Sequence, residues 1–195
     1  ETESFDLQAH EITIAEHLDK SPYNYTSAVT GKWHLSSFLR DDAEYQPLRQ
    51  GFDYHAGAMG NPQEAVGSGN LPRTYLNWEK STNGELEWTD TYMTTDTANE
   101  AIAAMNRMEP PWLLYVPFNA PHEPLHHPPE NLVSTPAPED ANDIQLFDSM
   151  IEAMDTEINR IIENIPPEQL EQTTVFVIGD NGTPSFGIAE PWPSN

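Results

Sequence analysis

Three short apolar runs, each closed at once by polar residues, constrain this chain more than anything else in it. Tyr25 to Thr30 is rich in β-branched and aromatic residues and ends at Gly31; Trp112 to Phe118 is a continuous apolar run; Thr173 to Ile178 is a third, ending at Gly179. Each has the length of a strand, and near-continuous hydrophobicity is what a strand covered on both faces requires. Helical patterns alternate with them. Thr13-Ile14-Ala15-Glu16 has the capping-box spacing and opens a helix that ends before Pro22. A second helix is expected from about Thr95 to Met108, with Ala98, Ala101, Ile102, Met105 and Met108 on its apolar face, stopping at Pro110. A third carries Phe147, Ile151, Met154, Ile158, Ile161 and Ile165 at spacings of 4, 3, 4, 3 and 4. This alternation predicts an α/β fold, a mostly parallel sheet flanked by helices on both faces. Arg40 to Trp88 contains Gly, Asn, Pro and isolated aromatics without a sustained period, and is expected to be a long surface excursion.

Composition removes several function classes. Eight Lys and Arg against 32 Asp and Glu leave a formal net charge of −24. Binding nucleic acid needs clustered cations, and so few scattered ones do not supply them. No window approaches eighteen uninterrupted apolar residues, so no membrane span is expected. The opening Glu1-Thr2-Glu3-Ser4 lacks the basic and apolar regions of a signal peptide. Five Trp, seven Tyr and seven Phe argue for a folded chain in spite of the charge, and zero Cys excludes disulfides and a cysteine nucleophile within these residues. The acidic surface is a compositional hint of salt adaptation.

In α/β sheets ligands bind beyond the carboxyl ends of the strands, and polar clusters stand there. Gly31-Lys32-Trp33-His34-Leu35 follows the first run, Asn119-Ala120-Pro121-His122-Glu123-Pro124 the second, and Asp180-Asn181-Gly182 the third. If the three strands are parallel neighbours, Lys32, His34, His122, Asp180 and Asn181 face one crevice. Lys32 is a fixed cation, His34 and His122 can donate hydrogen bonds or protons near neutral pH, and Asp180 with Asn181 offers hard oxygens suited to Ca²⁺ or Mg²⁺. Such a group would hold a tetrahedral oxyanion and stabilise charge on a leaving oxygen. Each element alone has an ordinary explanation: a solvated loop Lys, a structural His, a turn signal in Asp-Asn-Gly. Their shared place after three predicted strands is what gives them weight.

These strings, with Gly51-Phe52-Asp53-Tyr54, Met154-Asp155 and the continuation Thr183-Pro184, resemble the successive signatures of the type I sulfatases, members of the alkaline phosphatase superfamily. Order and approximate spacing agree along nearly the whole chain, and Gly-Lys-Trp-His-Leu is the most specific string. The resemblance implies that Lys32 and His34 stabilise the oxyanion and assist the leaving group, and that His122 is a sulfate ligand or general acid. It implies that Asp180 and Asn181 are two ligands of a divalent cation, Ca²⁺ with Mg²⁺ as the alternative, and that Asp155 is a structural, packing or capping carboxylate. The implied activity is hydrolysis of a small-molecule or glycan sulfate ester, and the family expectation for location is periplasmic or secreted.

The family's nucleophile, a formylglycine made from Cys or Ser in a Cys/Ser-x-Pro-x-Arg motif, is expected upstream of the Lys32 string, and no such motif occurs in the chain. Ser134-Thr135-Pro136 has Pro138 where the Arg belongs, and Asp41-Asp42 falls after the Lys32 string, so it reads as a solvated loop. No Lys follows Asp-Asn-Gly-Thr-Pro. The expectation is a single partial catalytic domain over residues 1–195, truncated at both ends and inactive by itself. One Asp and one Asn are too few to hold Ca²⁺ tightly.

Three other readings compete. Phosphodiesterases and phosphonate hydrolases of the same superfamily share the layout. A zinc site from His122, His126 and His127 fails on Pro121, Pro124, Pro128 and Pro129, which forbid the helix that its spacing needs. A non-catalytic acidic binding module is the third. His10, His17 and His55 stand alone and receive no role, while Tyr75, Trp78, Trp88 and Tyr92 either stack on a substrate or anchor the excursion, packing being the commoner use.

Overall fold

The expected alternation is largely present in the computed structural model, which describes residues 7–37, 41–62 and 74–183. In chain order the elements are α1 (Ile14–Asp19), β1 (Thr26–Thr30), α2 (Gln46–Arg49), β2 (Tyr54–Gly57), β3 (Trp78–Thr82), β4 (Glu85–Thr89), α3 (Met93–Met105), β5 (Trp112–Tyr115), α4 (Asp143–Glu163) and α5 (Pro167–Leu170). They divide between two compact units, Glu1–Pro124 and Leu125–Asn195.

Local chemistry explains the starts. Thr13 caps α1 with both halves of the capping box made: its hydroxyl accepts from the Glu16 N–H and the Glu16 carboxylate accepts from the Thr13 N–H. Asn142 and Gln145 make the same reciprocal pair at the start of α4.

The first unit is built on a five-stranded sheet in the order β4-β3-β2-β1-β5. The strand β1 runs parallel to both β2 and β5, while β2–β3 and β3–β4 are antiparallel, so the sheet is mixed. Alternation along β1 puts helices on both faces. Ala28 packs with Ala104 and Met108 on the α3 side, joined by Tyr54, Trp112 and Leu114. Val29 points the other way, into a cluster with Ala15 of α1, Trp33, Phe52 and Met59.

The stretch from Arg40 to Trp88 is where expectation and structure part. It holds α2, β2, β3 and most of β4, and it buries Phe52, His55, Ala56, Met59, Tyr75 and Trp78, so its described residues are a structural half of the sheet and not a surface excursion. Asn83 and Gly84, both with positive φ, form the two-residue turn joining β3 to β4, an Asn-Gly hairpin whose twist matches the strands it connects. The hairpin is tied down electrostatically: the Lys80 ammonium lies 2.9 Å from Asp96 and 2.7 Å from Glu100 on α3, and the Tyr54 hydroxyl donates to Glu100 at 2.6 Å. Burial works against the charged Lys80, but its bonds to Glu100 and Asp96 outweigh that and raise its pKa. Burial likewise raises Asp96, whereas for Glu100 the bonds from Lys80 and Tyr54 win and its pKa falls.

The second unit centres on α4. Its buried positions are Phe147, Ser149, Met150, Ala153, Glu157 and Ile161, so the inward face is rotated from the predicted stripe and Ile151 is partly exposed. Thr156 donates to the Leu132 carbonyl and the Ser134 N–H to Glu152, which fastens the 130–134 segment along the helix. Asp155 lies exposed in mid-helix, so it caps neither end. The third predicted strand is not formed: residues 173–178 carry no strand pairing, and Phe176, Val177 and Ile178 are about 80% exposed. A run of apolar residues becomes a strand only where a neighbour supplies a ladder, and propensity alone does not. Among the described residues no helix is long and apolar enough to cross a membrane.

Candidate active site

The chain leaves β1 through a seam in which every backbone N–H is taken up by a neighbouring segment. Gly31 N–H donates to the Ala56 carbonyl at 2.8 Å and Lys32 N–H to the Pro117 carbonyl at 2.7 Å. Trp33 N–H and His34 N–H donate to Ala58 and Met59, each at 2.9 Å. The Lys32 string is thus held between the continuations of β2 and β5, and its backbone cannot shift without breaking bonds on both sides. Two glycines permit the approach. A Cβ at Gly31 would collide with the Pro117 carbonyl, and one at Gly57 would collide with the backbone of Gly31. Both have positive φ, which other residues reach only under strain.

Within the string the side chains divide by role. Trp33 is buried, its ring edge-on to Phe52 at 6.0 Å and its indole N–H donating to Gln46 at 2.6 Å. Gln46 also accepts from the Ser36 hydroxyl and donates to the Leu7 carbonyl, so a buried amide fixes the turn that follows. Lys32, half-buried, and His34, exposed, flank that anchor. His34 adopts φ +52°, a left-handed conformation uncommon outside glycine. Such strain at a chemistry-bearing residue is a pointer to a site.

His122 approaches from the end of β5. Asn119 is buried and its amide donates to the Gly60 carbonyl at 3.0 Å, next to the carbonyls that receive Trp33 and His34. His122 N–H closes a turn on the Asn119 carbonyl at 2.9 Å, and the His122 carbonyl accepts from the Tyr75 hydroxyl at 2.8 Å. The imidazole is exposed, with Nδ1 3.0 Å from the Glu123 carbonyl, an acceptor for a proton on that nitrogen. The structure therefore brings the backbones carrying Lys32, His34 and His122 to one edge of the sheet. Asp180 and Asn181 lie in the second unit, both exposed.

The donor chemistry of Asp180 and Asn181 suits Ca²⁺, but their number does not. They offer two of the six to eight oxygens Ca²⁺ takes, and among the described residues no group of three or more His, Cys, Asp or Glu is placed to hold a metal ion. His122, His126 and His127 form no such group. The described residues alone do not constitute a cation site.

One residue that braces the sheet at the edge away from the candidate site carried no role in the sequence reading. Asp53 ties the N-terminal end of β1: its carboxylate accepts from the Ser27 N–H at 2.8 Å while its own N–H donates to the Ser27 carbonyl at 2.9 Å. Its place in the Gly-Phe-Asp string was the available signal. Tyr75, Trp78 and Tyr92 are buried packing residues, and Trp88 is 40% exposed.

The family model described as Sulfatase matches residues 4–191. The uncharacterized sulfatase YdeN of Escherichia coli (strain K12) is 26% identical over 199 residues, covering 89% of this chain and 33% of its own length. The N-acetylgalactosamine-6-sulfatase of Mus musculus is 28% identical over 130 residues, covering 60% of this chain and 23% of its own. A crystal structure of Ps i-CgsB in complex with k-i-k-neocarrahexaose superposes with a TM-score of 0.61 at 24% identity, over 86% of this chain and 38% of that one. The chain spans a third or less of the length of these two curated relatives.

Proposed function

This chain belongs to the sulfatase family, and we propose that it carries the part of a sulfate-ester hydrolase site that grips the sulfate and protonates the leaving oxygen. The observation that carries the reading is the seam joining the two strings, in which Lys32 N–H donates to the Pro117 carbonyl at 2.7 Å. The Lys32 ammonium neutralises a sulfate oxygen, and the imidazoles of His34 and His122 donate to sulfate oxygens or give a proton to the departing alkoxide. Charge that develops in the transition state meets donors already in place. The net reaction takes up water and yields an alcohol and sulfate.

The family generally uses a divalent cation. Ca²⁺ with Asp180 and Asn181 among its ligands is the finer proposal, and a formylglycine outside this sequence supplies the nucleophile in that scheme. The chain is one part of a single catalytic domain and is inactive alone. Local cations at the rim offset the net charge of −24, which by itself would slow an anionic substrate. The mouse relative's name suggests a sugar sulfate as the substrate class.

The test is steady-state hydrolysis of aryl sulfates and phosphates by the complete protein containing this chain. Sulfate esters should be preferred, and Lys32→Ala or His122→Ala should each lower kcat/KM by about 10² to 10³, the usual loss for one oxyanion donor. Preference for phosphate esters would favour the phosphodiesterase reading, and no hydrolysis of either would favour a binding module.

A further inference from the structure

The segment read from sequence as a surface excursion, with Tyr75 as a stacking or anchoring residue, reaches the turn that carries His122 through one hydroxyl. Tyr75 is 1% exposed and held on every side: its carbonyl accepts from the Met93 N–H at 2.8 Å, and its ring lies against Tyr92 with centroids 5.9 Å apart. Tyr92 is the N-cap residue just before α3, so the phenol is set between the approach to β3 and the start of that helix. Burial, with the nearby Tyr92, pushes its pKa up, so the phenol stays a proton donor throughout the working range of pH. The donated bond crosses 47 residues of sequence to the His122 carbonyl.

We propose that Tyr75 is a positioning residue for His122, fixing the peptide that joins His122 to Glu123 and through it the orientation of the imidazole. The turn is otherwise held at Asn119, by the side-chain bond to Gly60 and by the His122 N–H. Those two bonds hold the start of the turn, and the Tyr75 hydroxyl meets the His122–Glu123 peptide plane itself. The Glu123 carbonyl, 3.0 Å from Nδ1, belongs to the next peptide and hangs from the same Cα as the plane held by the hydroxyl, so a shift of that plane carried into Glu123 would displace the acceptor that sets the ring's tautomer. Phe at this position would fill nearly the same volume and leave the carbonyl unmet, which isolates the hydroxyl's contribution from that of the ring.

This inference rests on the reading of His122 given above, and a double-mutant cycle in the complete protein separates the two. Tyr75→Phe should lower kcat for an aryl sulfate about tenfold with KM changed by less than about twofold, since a small displacement of an acid or donor is costly only in the transition state. In the His122→Ala background the same change should cost less than about twofold, because residues acting through one another are not additive. Equal losses in both backgrounds would show that Tyr75 only packs, and would overturn the proposal while leaving His122 in the site. A silent His122→Ala would overturn the functional reading itself and the positioning role with it. Carbon-13 labelling of the His122 carbonyl gives a readout independent of turnover: its resonance should shift on Tyr75→Phe, and an unmoved signal in a folded variant also overturns the proposal.

Discussion

Two segments of this chain match the sulfatase pattern by their strings, and they are built in opposite ways. Gly31 to His34 has each backbone N–H bonded to an adjoining segment and its Trp33 packed into the core. Residues 173–183 form no helix or strand and are largely exposed, with Phe176 at 80% and Ile178 at 82%. A string of residue types therefore specifies chemistry, while the segments flanking it in space decide whether that chemistry is held in place. The first string is fixed by what packs beside it; the second is tied at its start, where the Thr173 N–H and hydroxyl donate to the Leu170 and Gln169 carbonyls, and is exposed beyond that point.

The difference has measurable sides. The largest effect is expected at Gly57, where a Cβ would strike the Gly31 backbone at φ +154°. Gly57→Ala should cost more than about 3 kcal/mol, the range of severe backbone and packing defects, read as a fall in the urea midpoint. A neutral result would mean that the seam yields easily and the contrast is false.

The next effect is acid-dependent. His55 on β2 is fully buried, neither ring nitrogen has a hydrogen-bond partner among the described residues, and burial lowers its pKa from 6.5 to about 4. Below pH 6.5 the unfolded chain takes a proton that the native state refuses, so stability is full above 6.5, falls between 6.5 and 4, and levels below 4. The loss is about 1.4 kcal/mol per pH unit, roughly 3 kcal/mol in all. Comparing the pH dependence of urea midpoints for the wild type and His55→Leu isolates this from the many carboxylates, and identical slopes would refute it.

The smallest effect belongs to the other segment. Val177 is 78% exposed, so Val177→Ser should change stability by less than about 0.5 kcal/mol. A cost of 2 kcal/mol or more, about that of unburying a Val side chain, would break the comparison and show the segment to be packed in solution.

Much of the frame was legible in the residues, for reasons that can be named. The capping box at Thr13 and Glu16, the β-branched run of β1 and the long apolar period of α4 each act locally, so each can be read from a short window. The strand β2 could not be, since Tyr54-His55-Ala56-Gly57 is four residues with a glycine and becomes a strand only by pairing with β1 and β3. The hairpin after it carried its signal in Asn83-Gly84, but the charges along β3 hid it: Lys80 is buried because Asp96 and Glu100 meet it, a circumstance 16 and 20 residues away. In the candidate site, Lys32, His34 and His122 were legible as chemical types following predicted strands. Tyr75 was not, because its importance depends on where its hydroxyl ends up.

The contact between Gly31 and Gly57 has one more consequence. Where main chain lies directly on main chain with no side chain between, there is nothing for substitution to trim or enlarge, and the gap is set by atomic radii alone. Variation around this seam must then fall on the side chains that flank it, because the backbone contact itself has no adjustable part.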